Sequence, residues 1–273
     1  MIPAGFSYVR PASVEEALDE LSRHNGSARV LAGGHSLLPA MKLGRTEAGV
    51  LVDIGRLREL SDVRVDGDQV VVGALTRHRT LERDPVVAGK APLLAAAARR
   101  IGDQQVRNRG TIGGSLAHAD PAADLAAAVL ALDGVLVARG PSGTREIPAR
   151  EFFTGRYANA LAAGELLTEI RLPAAPGRSY AFEKFSRRAL DWAVVGVAAQ
   201  ARPGGGVAIA LIGMGPTPVR ATAVEEALAA GTPAAEAARL AAQGCEPPDN
   251  AVASASYRAH LAEVLVGRAL AAL

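Results

Sequence analysis

Residues 107–121 read Arg-Asn-Arg-Gly-Thr-Ile-Gly-Gly-Ser-Leu-Ala-His-Ala-Asp-Pro, and this run constrains the fold more than any other. Three glycines, two small hydroxyls and two arginines between apolar neighbours do not build a core strand. Glycine lets the backbone approach a ligand and aim successive N–H groups at one point, and the Thr and Ser hydroxyls add short donors. That chemistry suits phosphate oxygens. A second segment of the same kind lies upstream, where residues 30–39 read Val-Leu-Ala-Gly-Gly-His-Ser-Leu-Leu-Pro. A pyrophosphate has two faces, so the pair predicts a clamp on one diphosphate. Leu31, Ala32, Gly33, Gly34, His35, Ser36 and Leu37 form one side, and Thr111, Ile112, Gly113, Gly114 and Ser115 the other. Alone, the first loop reads as a strand-to-helix turn that needs glycine angles. Neither segment has the G-x-G-x-x-G of a Rossmann unit or the G-x-x-x-x-G-K-[ST] of a P-loop, so another diphosphate fold is required.

The 273 residues are enough for a large core or two modest domains. No apolar run approaches the roughly 18 residues of a membrane span, and residues 1–6 show no basic segment leading into an apolar one, so the cytoplasm is the expected location. With 30 basic and 28 acidic residues interspersed, there is no stripe of cations for nucleic acid. The single cysteine, Cys245, excludes both an internal disulfide and an iron–sulfur cluster held by this chain alone. Nothing beside it would lower its pKa, so it reads as structural.

Ser13 and Glu16 form a capping box that starts a helix with apolar positions at Val14, Ala17, Leu18 and Leu21, and Asn25-Gly26 is the expected C-cap. Strands are expected at 28–31 and 51–54, and a hairpin at 63–65 and 69–72 around Asp66-Gly67-Asp68. An alanine-rich helix at 93–101 precedes the second glycine run. A further helix at 125–132 follows it, with Asp120, Pro121 and Asp124 at its start. Strands follow at 135–138 and 165–172. The segment Pro173-Ala174-Ala175-Pro176-Gly177 is the best linker in the chain. Beyond it, three strands (180–186, 192–202, 207–213) and three helices (223–230, 234–243, 256–270) predict an α+β unit.

The segments Ala-Gly-Gly-His-Ser-Leu-Leu-Pro at 32–39 and Thr-Ile-Gly-Gly-Ser-Leu-Ala-His-Ala-Asp-Pro at 111–121 closely resemble the FAD-binding medium subunit of molybdenum hydroxylases, of the aerobic carbon monoxide dehydrogenase and xanthine dehydrogenase type. The resemblance runs through nearly the whole chain. It implies an α+β fold: a two-subdomain FAD-binding domain of the PCMH (vanillyl-alcohol oxidase-like) type over 1–172, with subdomains of about 1–50 and 51–172. A small α+β C-terminal domain over 178–273, a three-stranded sheet plus helices, would follow. It also implies FAD in this chain, molybdopterin on a large subunit, two [2Fe-2S] clusters on a small subunit, and assembly as a dimer of heterotrimers. A free-standing flavoprotein oxidoreductase and a nucleotide-binding scaffold are the rival readings.

In that family the two loops hold the FAD pyrophosphate. Asp124 falls where the family has an acidic residue at the flavin, a ribityl or ribose contact. Asp120 and Asp124 read otherwise as helix N-terminal charges. Ile101 and Gly102 are placed to line the cofactor through backbone groups, and Leu166 lies in a segment similar to one near the adenine. Lys184 and Trp192 match a lysine and an aromatic that would meet the ring edge and cover a ring face. An exposed strand lysine and a core tryptophan are the plainer alternative. His35 and His118 have no nucleophile beside them and read as packing groups near the flavin, and His78 between two arginines reads as a surface residue.

Overall fold

Short β-branched runs around one strongly amphipathic helix make the first unit. The computed structural model describes residues 2–24 and 26–273. Here β1 (Ser7–Val9), α1 (Val14–Arg23), β2 (Ala28–Leu31), α2 (Leu37–Lys42) and β3 (Val50–Asp53) follow one another, and the strands form a parallel sheet in the order β1-β3-β2. Ser13 Oγ accepts from Glu16 N at 3.1 Å, and Glu16 Oε2 accepts from Ala12 N at 2.7 Å, so the capping box closes one residue before the cap. Val14, Ala17 and Leu21 face Val50, Val52 and Ile54 in one buried cluster. Of the expected C-cap pair, Asn25 lies outside the described residues, while Gly26 has a φ of +82°. Because β3 is the central strand, this sheet extends past residue 50.

The second unit starts with the expected hairpin, β4 (Val63–Asp66) and β5 (Gln69–Gly73), turned at Gly67 with φ +58°. Helices α3 (His78–Arg83), α4 (Pro85–Lys90), α5 (Pro92–Arg99), α6 (Gln104–Arg109), α7 (Ile112–His118) and α8 (Asp124–Ala131) come next. Then come β6 (Val135–Gly140), β7 (Gly143–Pro148), α9 (Ala149–Phe152), the small hairpin of β8 (Phe153–Gly155) and β9 (Ala158–Asn159), and β10 (Leu166–Pro173). The antiparallel sheet runs β4-β5-β10-β6-β7. Strand β7 alternates too little in hydrophobicity to stand out in the sequence. The second glycine run is not a loop, because Gly113, Gly114 and Ser115 form the first turn of α7 with Thr111 as its cap. Nor does Pro121 open α8, whose cap is Ala123. Asp120 Oδ1 instead accepts from Ala122 N at 2.9 Å, a side-chain turn that delays the helix.

The third unit pairs β11 (Tyr180–Phe185), β12 (Val195–Ala201), β13 (Val207–Ile212) and β14 (Val219–Arg220) in that order, so the sheet has a fourth strand beyond the three expected. Two residues carry no readable period, which is why β14 is invisible to alternation. Helices α10 (Thr222–Ala229), α11 (Ala234–Ala237) and α12 (Ala255–Ala271) cover one face. The expected helix at 234–243 stops after α11 and tightens into a 3-10 turn at Ala238–Leu240.

Helix α8 is apolar on nearly every side and buried along its whole length, packed against α5, β12 and β13. Phe182, Ala198, Ala210 and Ile212 of the third unit thereby join the core of the second. The 174–177 segment is no loose tether. Ala174 N and Ala175 N donate to Asp68 O at 2.7 Å and Lys90 O at 2.6 Å, and Ala175 is fully buried.

Candidate functional site

A cleft of about 1520 Å³ opens where the three units meet. This exceeds the roughly 300–1,000 Å³ that holds a drug-sized ligand, and leaves room for an extended dinucleotide. Ala32, Gly33, Gly34, His35, Ser36, Leu37, Ile101, Gly102, Thr111, Gly113, Gly114, Ser115, Asp120, Asp124, Leu166, Lys184 and Trp192 all line it. The side chains of Leu31 and Ile112 do not: Leu31 packs beside Met41 and Leu51, and Ile112 is wholly buried in the second unit's core.

The two glycine segments touch. A Cβ on Gly33 would sit 2.3 Å from Arg109 O and 3.0 Å from Gly110 Cα, and one on Gly114 would lie 3.8 Å from Ala32 Cβ. Arg77 clips the same carbonyl, donating from Nη1 to Arg109 O. The segments differ in what they offer. None of the N–H groups of Gly33, Gly34, His35, Ser36 and Leu37 is bonded to an acceptor among the described residues. His35 Nδ1 donates back to Gly33 O at 3.1 Å, and the Ser36 hydroxyl makes no capping bond. In the second segment the main chain is already engaged. Ile112 N donates to Thr76 O at 3.0 Å, Gly113 N to Ala74 O at 2.8 Å, Gly114 N to Thr111 Oγ1 at 3.2 Å and Ser115 N to Thr111 O at 3.0 Å. Gly113 is glycine because a Cβ there would lie 2.5 Å from Ala74 Cβ. The first segment therefore supplies donors, and the second a close glycine approach at Gly114 and the Ser115 hydroxyl.

Also lining the cleft, Lys184 Nζ of β11 donates to Asp124 Oδ2 of α8 at 2.7 Å and to Arg100 O at 3.1 Å. Both side chains are at most 4% exposed, so Lys184 is not an exposed strand lysine. Trp192 is 56% exposed and so no core tryptophan. Asp124 Oδ1 is buried with no hydrogen-bond partner among the described residues. The carbonyls of Ile101 and Gly102 are both taken by Arg107 Nη1 at 3.0 Å, so these residues present their other atoms to the cleft. Leu166 is buried at the head of β10. His118 stacks near Tyr157, with ring centroids 5.2 Å apart, and burial lowers its pKa. Cys245 is half-buried and its thiol is pushed up by burial, so it supplies no nucleophile.

His78 is buried, not on the surface, and its ring fills the space a Cβ on Gly110 would need, 2.5 Å away. The arginines on either side, Arg77 and Arg79, disguise it in the sequence. Burial, with Arg77, His35 and Arg107 adding to it, lowers His78 from 6.5 to about 4. Asp124 moves the other way, from 3.8 to about 6, because burial disfavours its charge more than Lys184 favours it. The two have opposite consequences. As pH falls through the His78 interval the unfolded chain takes the proton first, and the fold loses about 3 kcal/mol. As pH falls through the Asp124 interval the folded chain takes it first, and the fold gains a similar amount. Asp124→Asn removes the gain and leaves the loss. Its urea-unfolding stability is expected to drop more steeply than that of the parent between about pH 6.5 and pH 4.5, and parallel profiles would refute this pairing.

Two family descriptions match the chain. Residues 4–175 match the FAD binding domain in molybdopterin dehydrogenase, and residues 180–273 the CO dehydrogenase flavoprotein C-terminal domain. The chain belongs to the FAD-binding medium subunits of the molybdenum hydroxylases. It is 42% identical over 279 residues to the carbon monoxide dehydrogenase medium chain of Hydrogenophaga pseudoflava, covering 99% of this chain and 97% of that one. It is 38% identical over 281 residues to the 6-hydroxypseudooxynicotine dehydrogenase complex subunit alpha of Paenarthrobacter nicotinovorans, covering 99% and 95%. A solved structure of the H. pseudoflava carbon monoxide dehydrogenase, in a form lacking the Mo-pyranopterin moiety, superposes with a TM-score of 0.94 at 43% identity, over 100% of this chain and 98% of that one. A medium subunit needs a place for FAD, and the cleft fits it: N–H donors at 33–37 that are unbonded among the described residues, a close glycine approach, an acceptor on Asp124 likewise unpartnered and volume for a dinucleotide. Among the described residues no three His, Cys, Asp or Glu side chains gather as metal ligands would, and no helix is long and apolar enough to cross a membrane.

Proposed function

We propose that this medium subunit would hold FAD in the cleft, between the glycine segments and Lys184, and so serve to relay electrons from [2Fe-2S] clusters of a small subunit to an external acceptor. A large subunit with molybdopterin would oxidise the substrate, the assembly being a dimer of heterotrimers in the cytoplasm. The observation that carries this reading is the contact of the two glycine segments at Gly33 and Arg109. When bound, FAD supplies a centre that exchanges electrons singly or in pairs.

The residues then divide the task. The N–H groups of 33–37 and the Ser115 hydroxyl hold the diphosphate. Asp124 Oδ1 accepts from a ribityl or ribose hydroxyl. Lys184, fixed by Asp124 and Arg100 O, presents positive charge at the ring edge, and Trp192 stands beside the ring face. Leu166 packs toward the adenine. The relatives' names, carbon monoxide dehydrogenase and 6-hydroxypseudooxynicotine dehydrogenase, differ in substrate, in keeping with substrate chemistry residing on another subunit.

The test is direct. The full chain, stripped of flavin and mixed with excess FAD, is expected to keep flavin absorbance through gel filtration at about one equivalent. A folded but colourless protein would end this reading.

A further inference from the structure

Arg258 of α12 is buried, and among the described residues it has no carboxylate within ion-pair reach. Its partners are all neutral acceptors. Nε donates to Pro248 O at 3.0 Å, Nη1 to Val194 O at 2.5 Å and to Gly213 O at 3.4 Å, and Nη2 to Asn250 Oδ1 at 3.2 Å. A buried cation without a counter-charge is costly and is kept only where its bonds do something an apolar side chain cannot. Those bonds gather three stretches of chain at the edge of the cleft.

Val194 closes the loop over 186–193, its N–H donating to Phe185 O at 2.8 Å. Residues 187–192 of that loop are all exposed, Trp192 among them. Gly213, at φ +76°, sits so close beneath the Val194 carbonyl that a Cβ would lie 2.2 Å from the oxygen, and its N–H donates to Pro121 O at 2.9 Å. Arg258 thus grips the base of the Trp192 loop and the point where the third unit meets the segment leading to Asp124. A second tie runs from Arg187 Nη1 to Ala251 O at 3.4 Å, next to Asn250. The planar guanidinium alone reaches all four acceptors, because a lysine donates from one point.

We infer that Arg258 is a positioning residue for the ring end of FAD: it holds the 186–193 loop, and with it Trp192, against the cleft, while the glycine segments hold the diphosphate end independently. This rests on the FAD reading above. Removing the guanidinium leaves the Val194 carbonyl unpaired beneath the loop, so the loop is released, while the contacts around Gly33 and Gly114 stay as they were.

Trp192 is the only tryptophan in the chain and reports on its own loop. Arg258→Met and Arg258→Lys in the full chain are compared with the parent by tryptophan anisotropy and by titration with FAD, riboflavin and ADP. In Arg258→Met, the anisotropy is expected to fall and FAD and riboflavin to bind about tenfold more weakly, with ADP changed less than about twofold. Arg258→Lys, with some donors restored, recovers part of both. Equal weakening of ADP and riboflavin, or affinities and anisotropy like the parent's, overturns the inference. Should Arg258→Met fail to fold, Asn250→Ala, which removes one acceptor, must give the same split in smaller measure, and an equal or absent effect overturns it as well. A parent chain that binds no FAD defeats the functional reading, whereas a parent that binds it beside an unaffected Arg258→Met defeats this inference alone.

Discussion

Gly33→Ala is expected to cost the chain its FAD while most of the fold survives. The added Cβ would lie 2.3 Å from Arg109 O, a main-chain atom that cannot swing aside. The loop has to draw back from 109–110, carrying the N–H groups of 33–37 out of register with the diphosphate. A weakening of at least about a hundredfold, roughly 2.7 kcal/mol, follows in FAD affinity, and the overpacking lowers stability by about 1–3 kcal/mol. Gly5→Ala is the control, since its Cβ meets nothing within 4 Å. Flavin titration and urea unfolding of both variants decide the matter, and parent-like affinity in Gly33→Ala would show that the two segments do not act as a clamp.

The second large effect concerns Lys184. Lys184→Met strands the Asp124 carboxylate, which is 4% exposed and already lacks a partner for Oδ1. Removing one member of a buried pair typically costs about 3–5 kcal/mol. The sign of the pH dependence is fixed. Asp124 already sits at about 6, and loss of the cation raises it further, so the carboxyl is neutral over a wider acidic range. The deficit of Lys184→Met relative to the parent is therefore largest above neutral pH and shrinks as pH falls to about 5. Asp124→Leu combined with Lys184→Met recovers most of the stability but not the FAD affinity. Thermal unfolding at several pH values checks both, and a deficit that grows on acidification would contradict the pairing.

Local chemistry was readable in the chain, and meetings at a distance were not. Ser13 and Glu16 announce α1 because their bonds reach only the next turn. The two glycine segments stand out because so few structures need that density of small residues, yet sequence cannot say that Gly113 and Gly114 open a helix rather than a loop. That outcome depends on Thr76 O and Ala74 O receiving the N–H groups of Ile112 and Gly113 from nearly forty residues upstream. Lys184 looked as much like a surface residue as a site residue, since its partner lies 60 positions earlier. His78 resembles a surface residue because its flanking arginines dominate its local pattern, whereas its ring is buried in the space left beside Gly110, 32 positions on. Arg258 carries no local signal, because all its acceptors are carbonyl or amide oxygens that any residue order could place there.

The distance between Asp124 and Lys184 along the chain also bears on how the protein is made. A ribosome adding about 5–20 residues per second emits Asp124 several seconds before its cation. Until then the nascent polypeptide carries a carboxylate whose charge burial against α8's neighbours would disfavour. The pair can form only once β11 has been synthesised, and Phe182 of the same strand then joins the apolar core around α8.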